Sequence, residues 1–496
     1  MPAHALTISL YTVEQVRCID RNAKERCGIA GFDLMQRAAA AAFACLRRRW
    51  PHATRIRLLA GSGNNGGDAF LLGTLALRTG MRVDAIALTP VSSGDAGRAR
   101  EAFRAVGGRI LIADADTAVA DADVFVDGLF GTGLARPVLG VAAKLIEKLN
   151  AVQRLVLALD LPSGLDADTG ACLGATVRAD ATISFIAWKR GLFSNDAVDH
   201  CGTLELAPLE VPAAAYDDII ADAQLLDHSL SDLLAPRCGN SNKSSFGHVL
   251  IIGGDHGMAG AVRLVGAAAL RCGAGLVSIA TRPAHVSALN AARPELMAHG
   301  IDDANELTAL IERASIIAIG PGMGQREWGR GLLDAAVGSA KPMVLDADAL
   351  NLLAKSPRRL PPQTVLTPHP GEAARLLDCE IAAVQRDRFA AVRAIAARYN
   401  AVVVLKGAGS LIGNPHGHVA VCPWGNPGMA SGGMGDLLTG VVAALRAQGL
   451  SAWDAARFGV GLHARAGDAA AGASPRGLIA SDLLAPLREL VNGFAR

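Results

Sequence analysis

The chain has 496 residues, which is enough for two or three ordinary domains. Hydrophobic residues make up 51% of it and charged residues only 19%, so ample material is available for buried cores. Because 48 basic residues nearly balance 46 acidic ones, we expect neither nucleic acid nor an anionic membrane as a partner.

The N-terminal stretch MPAHALTISLYTVEQ lacks the basic and apolar segments of a secretory signal, and no run of about 18 apolar residues follows. We therefore expect a cytoplasmic protein. The nine cysteines form no CxxC pair, which favours reduced thiols over disulfides or zinc ligation. His416 and His418 beside Cys422 would suit a metal fragment, but the alternating polar residues favour a hairpin there.

Short β-branched runs alternate with Ala- and Leu-rich stretches, which is typical of parallel sheets with crossover helices. We predict an α/β fold with two series of strands. Between the series the strand pattern lapses, and a stretch rich in Pro, Asn, Ser and Gly places a domain boundary near residue 225. The predicted strands are 55–60, 82–88, 123–127, 155–160 and 181–185 in the first series, and 248–253, 276–281, 316–320, 343–346, 365–368 and 402–406 in the second.

A glycine-rich segment, GSGNNGGD at residues 61–68, separates the first predicted strand from an apolar, helix-compatible stretch. Such a turn commonly cradles phosphate, and its spacing satisfies the dinucleotide fingerprint GxGxxG. In a Rossmann dehydrogenase an acidic residue ends the second strand, whereas Asp84 lies near the start of that strand. A simple dehydrogenase is therefore disfavoured. Asp68 would fit either a binding role or a plain helix cap.

Two further predicted strands end in an acidic residue, Asp127 in VFVDGLFGTGLARP and Asp160 in VLALDLPSGLDADTG. The carboxyl ends of parallel strands meet in one crevice, so these side chains should share a small space with Asn65 and Ser163. Neighbouring carboxylates repel each other, which makes a bound hard cation reasonable. The GTGLARP loop supplies backbone amides and Arg136 for an anion.

Five ordered blocks covering most of residues 11–170 resemble the N-terminal domain of the YjeF family, the NAD(P)H-hydrate epimerases. They are YTVEQVRCIDRNA, GIAGFDLMQRAA, AGSGNNGGD, VDGLFGTGLARP and LDLPSGLDADTG. The resemblance implies a Rossmann-like epimerase domain over residues 1–225 with Asp160 as a catalytic residue. It also implies that the hydrated dinucleotide contacts Asn64, Asn65, Gly66, Gly67, Asp68, Gly131, Thr132, Gly133, Leu134, Ala135, Arg136, Pro137 and Asp160.

The same resemblance implies a potassium ion bound by Asn65, Asp127 and Ser163. Two residues depart from the family pattern. Gln36 stands where the family usually has Glu, and Ala69 stands where it usually has Gly. We expect Ala69 to narrow the room beside the glycine-rich loop.

In the second series, GNPGMASGGMGDLLTG at residues 425–440 leads into a predicted helix over 437–445, and a Walker-type GxxxxGK[ST] motif is lacking. Glycines at a helix N-terminus present N–H groups and the positive end of the helix dipole to an anion. Asp436 beside them would act as a base, or would simply cap the helix. The arrangement resembles the ribokinase-like fold, in which such an anion hole holds the transferring phosphoryl group.

Further blocks, covering nearly all of residues 246–445, resemble the NAD(P)H-hydrate dehydratases within that fold. They are FGHVLIIGGDHGMAGAVRLVGAAALRCGAGLV, AIGPGMG, VLDADALNLL, LTPHPGEAARLL and VVVLKGAGSLI. The resemblance implies a dehydratase domain over residues 226–496. It also implies adenine-nucleotide contacts for Lys406, Gly407, Ala408, Gly409, Ser410 and Gly435, and hydrated-dinucleotide contacts for Ala261, Gly322, His369 and Asp436.

Three residues of these blocks also have structural interpretations. By itself, His369 is typical of a turn before a helix capped near Gly371 and Glu372. Asp346 and Asp348 would suit a metal pair, but we interpret them as structural.

Together the two resemblances imply a fused repair enzyme for NADH and NADPH hydrated at C6 of the nicotinamide ring, the compounds NADHX and NADPHX. The second domain would use ADP with magnesium to dehydrate the S form, leaving AMP and phosphate, while the first domain interconverts the R and S forms. We also expect a homo-oligomer. The alternatives are a ribokinase-like kinase for a sugar or vitamin with a dinucleotide-binding regulatory domain, and a first domain that only senses dinucleotide.

Overall fold

The structure, a computed structural model, describes residues 7–90, 92–119 and 122–493. It divides into two compact units, one ending at Gln224 and the other beginning at Leu225, beside the predicted boundary near residue 225. Both units are α/β, which confirms the predicted fold class. Within the described ranges, every helix is too short or too polar to cross a bilayer.

Strands and helices alternate through the first unit. Its strands are β1 (Ser9–Tyr11), β2 (Arg55–Ala60), β3 (Arg82–Ala87), β4 (Arg109–Ile112), β5 (Val124–Gly128), β6 (Leu155–Leu159), β7 (Ala181–Phe185), β8 (Trp188–Lys189), β9 (Thr203–Ala207) and, at the boundary, β10 (Ala223–Leu225). Its helices are α1 (Val13–Glu25), α2 (Gly31–Arg49), α3 (Asn64–Arg78), α4 (Gly94–Ala105), α5 (Gly140–Ala151) and α6 (Ala197–His200).

Seven of these strands form a parallel sheet in the order β4-β3-β2-β5-β6-β7-β9. Neighbouring residues of a strand point to opposite faces of its sheet. Leu58 and Leu59 of β2 accordingly belong to two different apolar clusters, so both faces of the sheet are buried. Because β5 lies between β2 and β6, the loops that follow these three strands meet at one edge.

Helix α3 lies at the centre of the first unit and is buried from Asn65 to Thr74. A Cβ atom on Gly67 would lie 2.7 Å from the sulfur of Met35 in α2 and 3.0 Å from the Cα atom of Ala96 in α4. A glycine at this position therefore allows α3 to pack closely between its two neighbours.

The second unit has the same alternation. Its strands are β11 (His248–Ile252), β12 (Leu276–Thr281), β13 (Met297–Gly300), β14 (Ile316–Ile319), β15 (Met343–Leu345), β16 (Val365–Leu366), β17 (Val402–Leu405), β18 (Leu411–Gly413) and β19 (Val419–Val421). Its helices are α7 (Ala259–Arg271), α8 (Val286–Ala292), α9 (Thr308–Arg313), α10 (Glu327–Gly338), α11 (Ala347–Lys355), α12 (Pro370–Leu377), α13 (Ile381–Arg386), α14 (Arg388–Tyr399), α15 (Met434–Ala447), α16 (Ala452–Ala471) and α17 (Leu484–Leu490).

The strands of the second unit follow the order β13-β12-β11-β14-β15-β16-β17-β18-β19. They are parallel from β13 to β17, whereas β18 and β19 form an antiparallel hairpin. This hairpin confirms the turn predicted around His416 and His418. A search of the described residues finds no group of three or more His, Cys, Asp or Glu side chains that could hold a metal ion. The loops after β14 to β17 lie along one edge of the sheet. The predicted site residues Gly322, His369 and Lys406 belong to these loops.

Candidate functional site

A cleft of about 960 Å³ opens where the loops after β2, β5 and β6 meet. Three predicted residues lie outside its lining. Gly66 and Gly67 are buried within α3, and Pro137 is exposed beyond the loop that it ends. The lining contains the predicted residues Asn64, Asn65, Asp68, Gly131, Thr132, Gly133, Leu134, Ala135, Arg136 and Asp160.

Gly66 shapes the cleft through backbone packing. A Cβ atom there would lie 2.1 Å from the carbonyl oxygen of Gly61, so the turn closes only without a side chain. We predict that Gly66→Ala lowers the free energy of unfolding by about 1–3 kcal/mol. Gly133→Ala is the matched control, since no heavy atom lies within 4 Å of its added Cβ. Urea unfolding should separate the two variants, and an equal effect would contradict this packing argument.

The side chain of Asp127 is completely buried at the end of β5. It accepts hydrogen bonds from the Ser163 amide at 2.7 Å and from the Ser163 hydroxyl at 2.6 Å. Burial raises the pKa of Asp127 to about 6, although these hydrogen bonds oppose the rise. The Asn65 amide nitrogen donates to the Phe130 carbonyl at 2.9 Å, while its buried Oδ1 atom lacks a partner among the described residues. The Ser163 hydroxyl also reaches the Phe130 carbonyl, at 3.2 Å, so Asn65 and Ser163 share this acceptor beside Asp127.

Asp160 ends β6 with a left-handed backbone, at φ 67°. Its carboxylate pairs with the ammonium of Lys189, whose side chain is 1% exposed, and accepts from the Phe185 amide at 3.2 Å. Lys189 also donates to the Ser184 hydroxyl at 3.1 Å and to the Phe185 carbonyl at 2.8 Å. Our sequence analysis missed Lys189, which lines the same cleft. Its only signal is a lysine at the end of the apolar run of residues 181–188.

Asp68 lies one turn inside α3, which begins at Asn64 with Gly63 as its cap residue. The interpretation of Asp68 as a helix cap is therefore wrong. Its side chain is buried, and burial together with the nearby charge of Asp160 raises its pKa well above the usual range, whereas Lys189 lowers it.

Both residues that depart from the family pattern lie outside the cleft lining. Ala69 is fully buried and outside the cleft lining, and a Cβ atom on Gly128 would lie 2.7 Å from the Ala69 methyl group. This methyl group therefore packs behind the loop, against β5. Gln36 is exposed and likewise does not line the cleft.

In the second unit, α15 begins after Gly433, which has a left-handed φ of 87°. Asp436 is the third residue of this helix, so its interpretation as the N-cap is wrong. Within the described chain, the amides of Gly432, Gly433 and Gly435 have no protein acceptor, as an anion hole requires. Burial raises the pKa of Asp436 to about 6, and the repulsion of Asp346 adds to the rise while Lys406 opposes it.

Lys406 follows β17 and reaches the first turn of α15. Its ammonium lies 2.8 Å from a carboxylate oxygen of Asp346 and 3.9 Å from one of Glu372. Burial by itself would lower the pKa of Lys406, but these two carboxylates outweigh it and raise the pKa. A Cβ atom on Gly435 would lie 3.2 Å from the Lys406 ammonium, so Lys406, Gly435 and Asp436 form one cluster.

Asp346 and Asp348 make contacts typical of structural residues. Asp346 is 2% exposed and also accepts from the Thr439 hydroxyl at 2.9 Å. Asp348 accepts from the Gly324 amide at 2.9 Å and from the Gln325 side chain at 3.0 Å. Both carboxylates are thus occupied by protein donors.

Arg388, a second residue that our sequence analysis missed, stabilises the loop of residues 406–410 through hydrogen bonds. Arg388 is 1% exposed and donates to the carbonyl groups of Leu405, Lys406 and Ala408. Burial lowers its pKa to about 10. The signal for it is weak, because arginines in a helix of mostly small and apolar residues are usually exposed.

His369 caps α12, as its local sequence suggests. Its Nδ1 atom accepts from the Gly371 amide at 3.0 Å, and Glu372 accepts from the His369 amide at 2.8 Å. Burial, followed by the positive charge of Lys406, lowers the pKa of His369. The ring is half exposed, so capping leaves one side of it available to a ligand.

Ala261 and Gly322 lie beside each other, since a Cβ atom on Gly322 would be 3.4 Å from the Ala261 methyl group. Leu264 lies one turn later on α7. A Cβ atom on Gly433 would lie 2.6 Å from a methyl group of Leu264. Helix α7 therefore connects this pair of residues to the start of α15.

Comparison with known proteins identifies a family for each half of the chain. The family described as NAD(P)H-hydrate dehydratase matches residues 249–488, and the family described as YjeF-related protein N-terminus matches residues 31–191. Two solved structures resemble the chain at 28% identity. A ribokinase-like superfamily protein from Enterococcus faecalis has a TM-score of 0.52 over 56% of this chain and 98% of its own, and a hypothetical protein from Streptococcus mutans has 0.51 over 54% and 99%.

Curated relatives match nearly the whole chain. The bifunctional NAD(P)H-hydrate repair enzyme Nnr of Coxiella burnetii is 44% identical over 97% of this chain and 99% of its own length. The enzyme of the same name from Escherichia coli is 41% identical over 98% of this chain and 94% of its own. The chain therefore belongs to the family of bifunctional NAD(P)H-hydrate repair enzymes.

Proposed function

We propose that this protein repairs NADHX and NADPHX by two activities, one in each unit. The first unit interconverts the R and S forms at C6, and the second dehydrates the S form with ADP. The observation that carries the second activity is the position of Asp436 in the first turn of α15, beside Lys406 and the free amides of the glycine-rich loop. Full-length similarity to enzymes that join both activities favours this function over a kinase with a regulatory domain.

In the dehydratase, Asp436 removes the proton from the C6 hydroxyl as that oxygen attacks the terminal phosphoryl group of ADP. The amides of Gly432 to Gly435 and the helix dipole stabilise the charge of the transferring group. Magnesium bound with ADP would supply further positive charge to the phosphates. Phosphate is a far better leaving group than hydroxide, so the C6–O bond then breaks, and loss of a proton from C5 restores the dihydronicotinamide.

In the epimerase, potassium fits the oxygen cluster at the end of β5. Asn65 offers a buried oxygen without a protein partner, and Asp127 supplies a carboxylate whose charge a cation would balance. Ser163 adds a hydroxyl oxygen that contacts this carboxylate. A bound potassium ion would supply positive charge near the cleft and fix the loops after β5 and β6.

We predict that potassium raises the unfolding temperature of the protein above that in sodium at equal ionic strength, because a ligand that binds only the folded state stabilises it. Asn65→Ala should remove this difference. Thermal unfolding in potassium and sodium chloride measures the effect without any substrate. Equal stabilisation of the unmodified protein by the two salts would contradict the potassium site.

The proposed function is tested by incubating the protein with hydrated NADH, ADP, magnesium and potassium. Absorbance at the dihydronicotinamide band should return. A parallel panel of sugars and vitamins with ATP should give no phosphorylated product. Phosphorylation of a sugar or vitamin without recovery of NADH would support the ribokinase-like kinase and contradict the repair function.

A further inference from the structure

Asp68 differs from the other buried carboxyl groups around the epimerase cleft. It lines the cleft and is 8% exposed, yet it has no hydrogen-bond partner among the described residues. Asp127, by contrast, is satisfied by Ser163 and Leu129. A buried polar group without a partner is costly and rare, so a free carboxyl group that faces a cleft indicates a role toward a ligand.

The second carboxyl group in this region, Asp160, is fully engaged. The buried ammonium of Lys189 pairs with it, and the Phe185 amide donates to it. Two carboxyl groups therefore face one ammonium, and the attraction of Lys189 falls mainly on Asp160. One negative charge is compensated here, and a second would be opposed by both burial and repulsion.

The other charged residues of the cleft lining do not contribute to the electrostatic environment of Asp68. The cleft lining also contains Arg17, Asp20, Lys24, Asp95 and Arg136. Lys24 pairs with Asp20 at 2.6 Å, and Arg17 donates to the Thr132 carbonyl at 3.2 Å. Burial, followed by the negative charge of Asp160, raises the pKa of Asp68, whereas the charge of Lys189 lowers it.

We propose that Asp68 and Asp160 are the acid and the base of the epimerase, and that Lys189 is a positioning residue that keeps the negative charge on Asp160. This assignment rests on the proposed function and adds to it a chemical role for each side chain. It treats Asp68 as a proton donor rather than as one of several binding groups.

The chemistry of the substrate calls for such a pair. C6 carries a hydroxyl group and is bonded to the ring nitrogen N1, so the ring opens as a hemiaminal does. Asp160 takes the hydroxyl proton, C6 becomes an aldehyde carbon as the C6–N1 bond breaks, and Asp68 gives its proton to N1. Rotation about the C5–C6 bond presents the other face of the aldehyde. Reversal of both proton transfers closes the ring as the opposite epimer, and no atom is gained or lost.

Asp68→Asn tests the acid, because the amide keeps the size of the carboxyl group but cannot deliver its proton. We expect the epimerisation kcat to fall by about 10²- to 10⁴-fold. The dehydratase rate and the unfolding temperature should not fall. The control is Asp199→Asn, which changes an exposed carboxylate outside the cleft lining and should leave the epimerase within about twofold of the unmodified rate. An Asp68→Asn protein that epimerises at the unmodified rate would overturn the assignment.

Lys189→Met tests the positioning role through the pH profile. Loss of the ammonium favours the protonated form of its carboxylate partner, so the acid limb of kcat/KM should move to higher pH by at least about one unit. Lys189→Arg, which keeps the charge, should return the limb toward its original position. A fall by the same factor at every pH, with an unmoved limb, would make Lys189 merely structural and refute this part. If the unmodified protein fails to epimerise at all, the proposed function fails instead.

Discussion

Asp436→Asn is expected to reduce dehydration by about 10²- to 10⁴-fold while the exchange of R and S forms continues. The amide keeps the shape of the side chain but cannot accept the C6 hydroxyl proton. Loss of a buried negative charge should not lower the unfolding temperature, because ionisation of Asp436 is unfavourable in the folded protein. The rates of NADH recovery and of epimer exchange, measured on the same sample, check this result. Asp334→Asn, at an exposed carboxylate, serves as the control.

The same carboxyl group sets the pH dependence of dehydration. Its pKa is about 6, and only the ionised form acts as a base, so the rate should rise with pH through this region and level off above it. The residual rate of Asp436→Asn should lack this limb. An equal loss of both activities in the variant, or an unchanged limb, would contradict the role given to Asp436.

Asp160→Asn is expected to have the opposite effect, abolishing epimerisation and sparing dehydration. Repair of a mixture should then stop once the S form is consumed, with the R form left over. The variant leaves the buried Lys189 without its carboxylate, so we also expect a lower unfolding temperature. Chromatographic measurement of the residual epimers, with the dehydratase rate as the internal reference, tests this prediction. Complete consumption of the mixture as fast as by the unmodified protein would contradict it.

Much of the fold follows from patterns that are local in the chain. Each predicted strand is present, with ends displaced by at most two residues, because central parallel strands are buried on both faces and appear as continuous apolar runs. The strands that were missed are short or lie at edges. Arg109–Ile112 is largely exposed, and Met297–Gly300 contains a partly exposed histidine and glycine, so neither shows an apolar run.

The candidate sites were only partly predictable for a different reason. Glycine-rich loops and acidic strand ends mark the cleft and the anion hole in the sequence itself. The roles of Lys189 and Arg388 depend on partners that are distant in the sequence. Lys189 pairs with Asp160, 29 positions away, and Arg388 donates to the Ala408 carbonyl, 20 positions away. A buried charge is identified by its compensating contacts, which no short window of sequence contains.

The most direct test of the account follows a mixture of R and S hydrated NADH to completion with limiting enzyme, ADP, magnesium and potassium. We predict that both epimers are consumed and that NADH, AMP and phosphate form in equal amounts. Consumption of the S form alone, or nucleotide turnover without recovery of NADH, would contradict the claim that one chain joins epimerisation to phosphoryl-assisted dehydration.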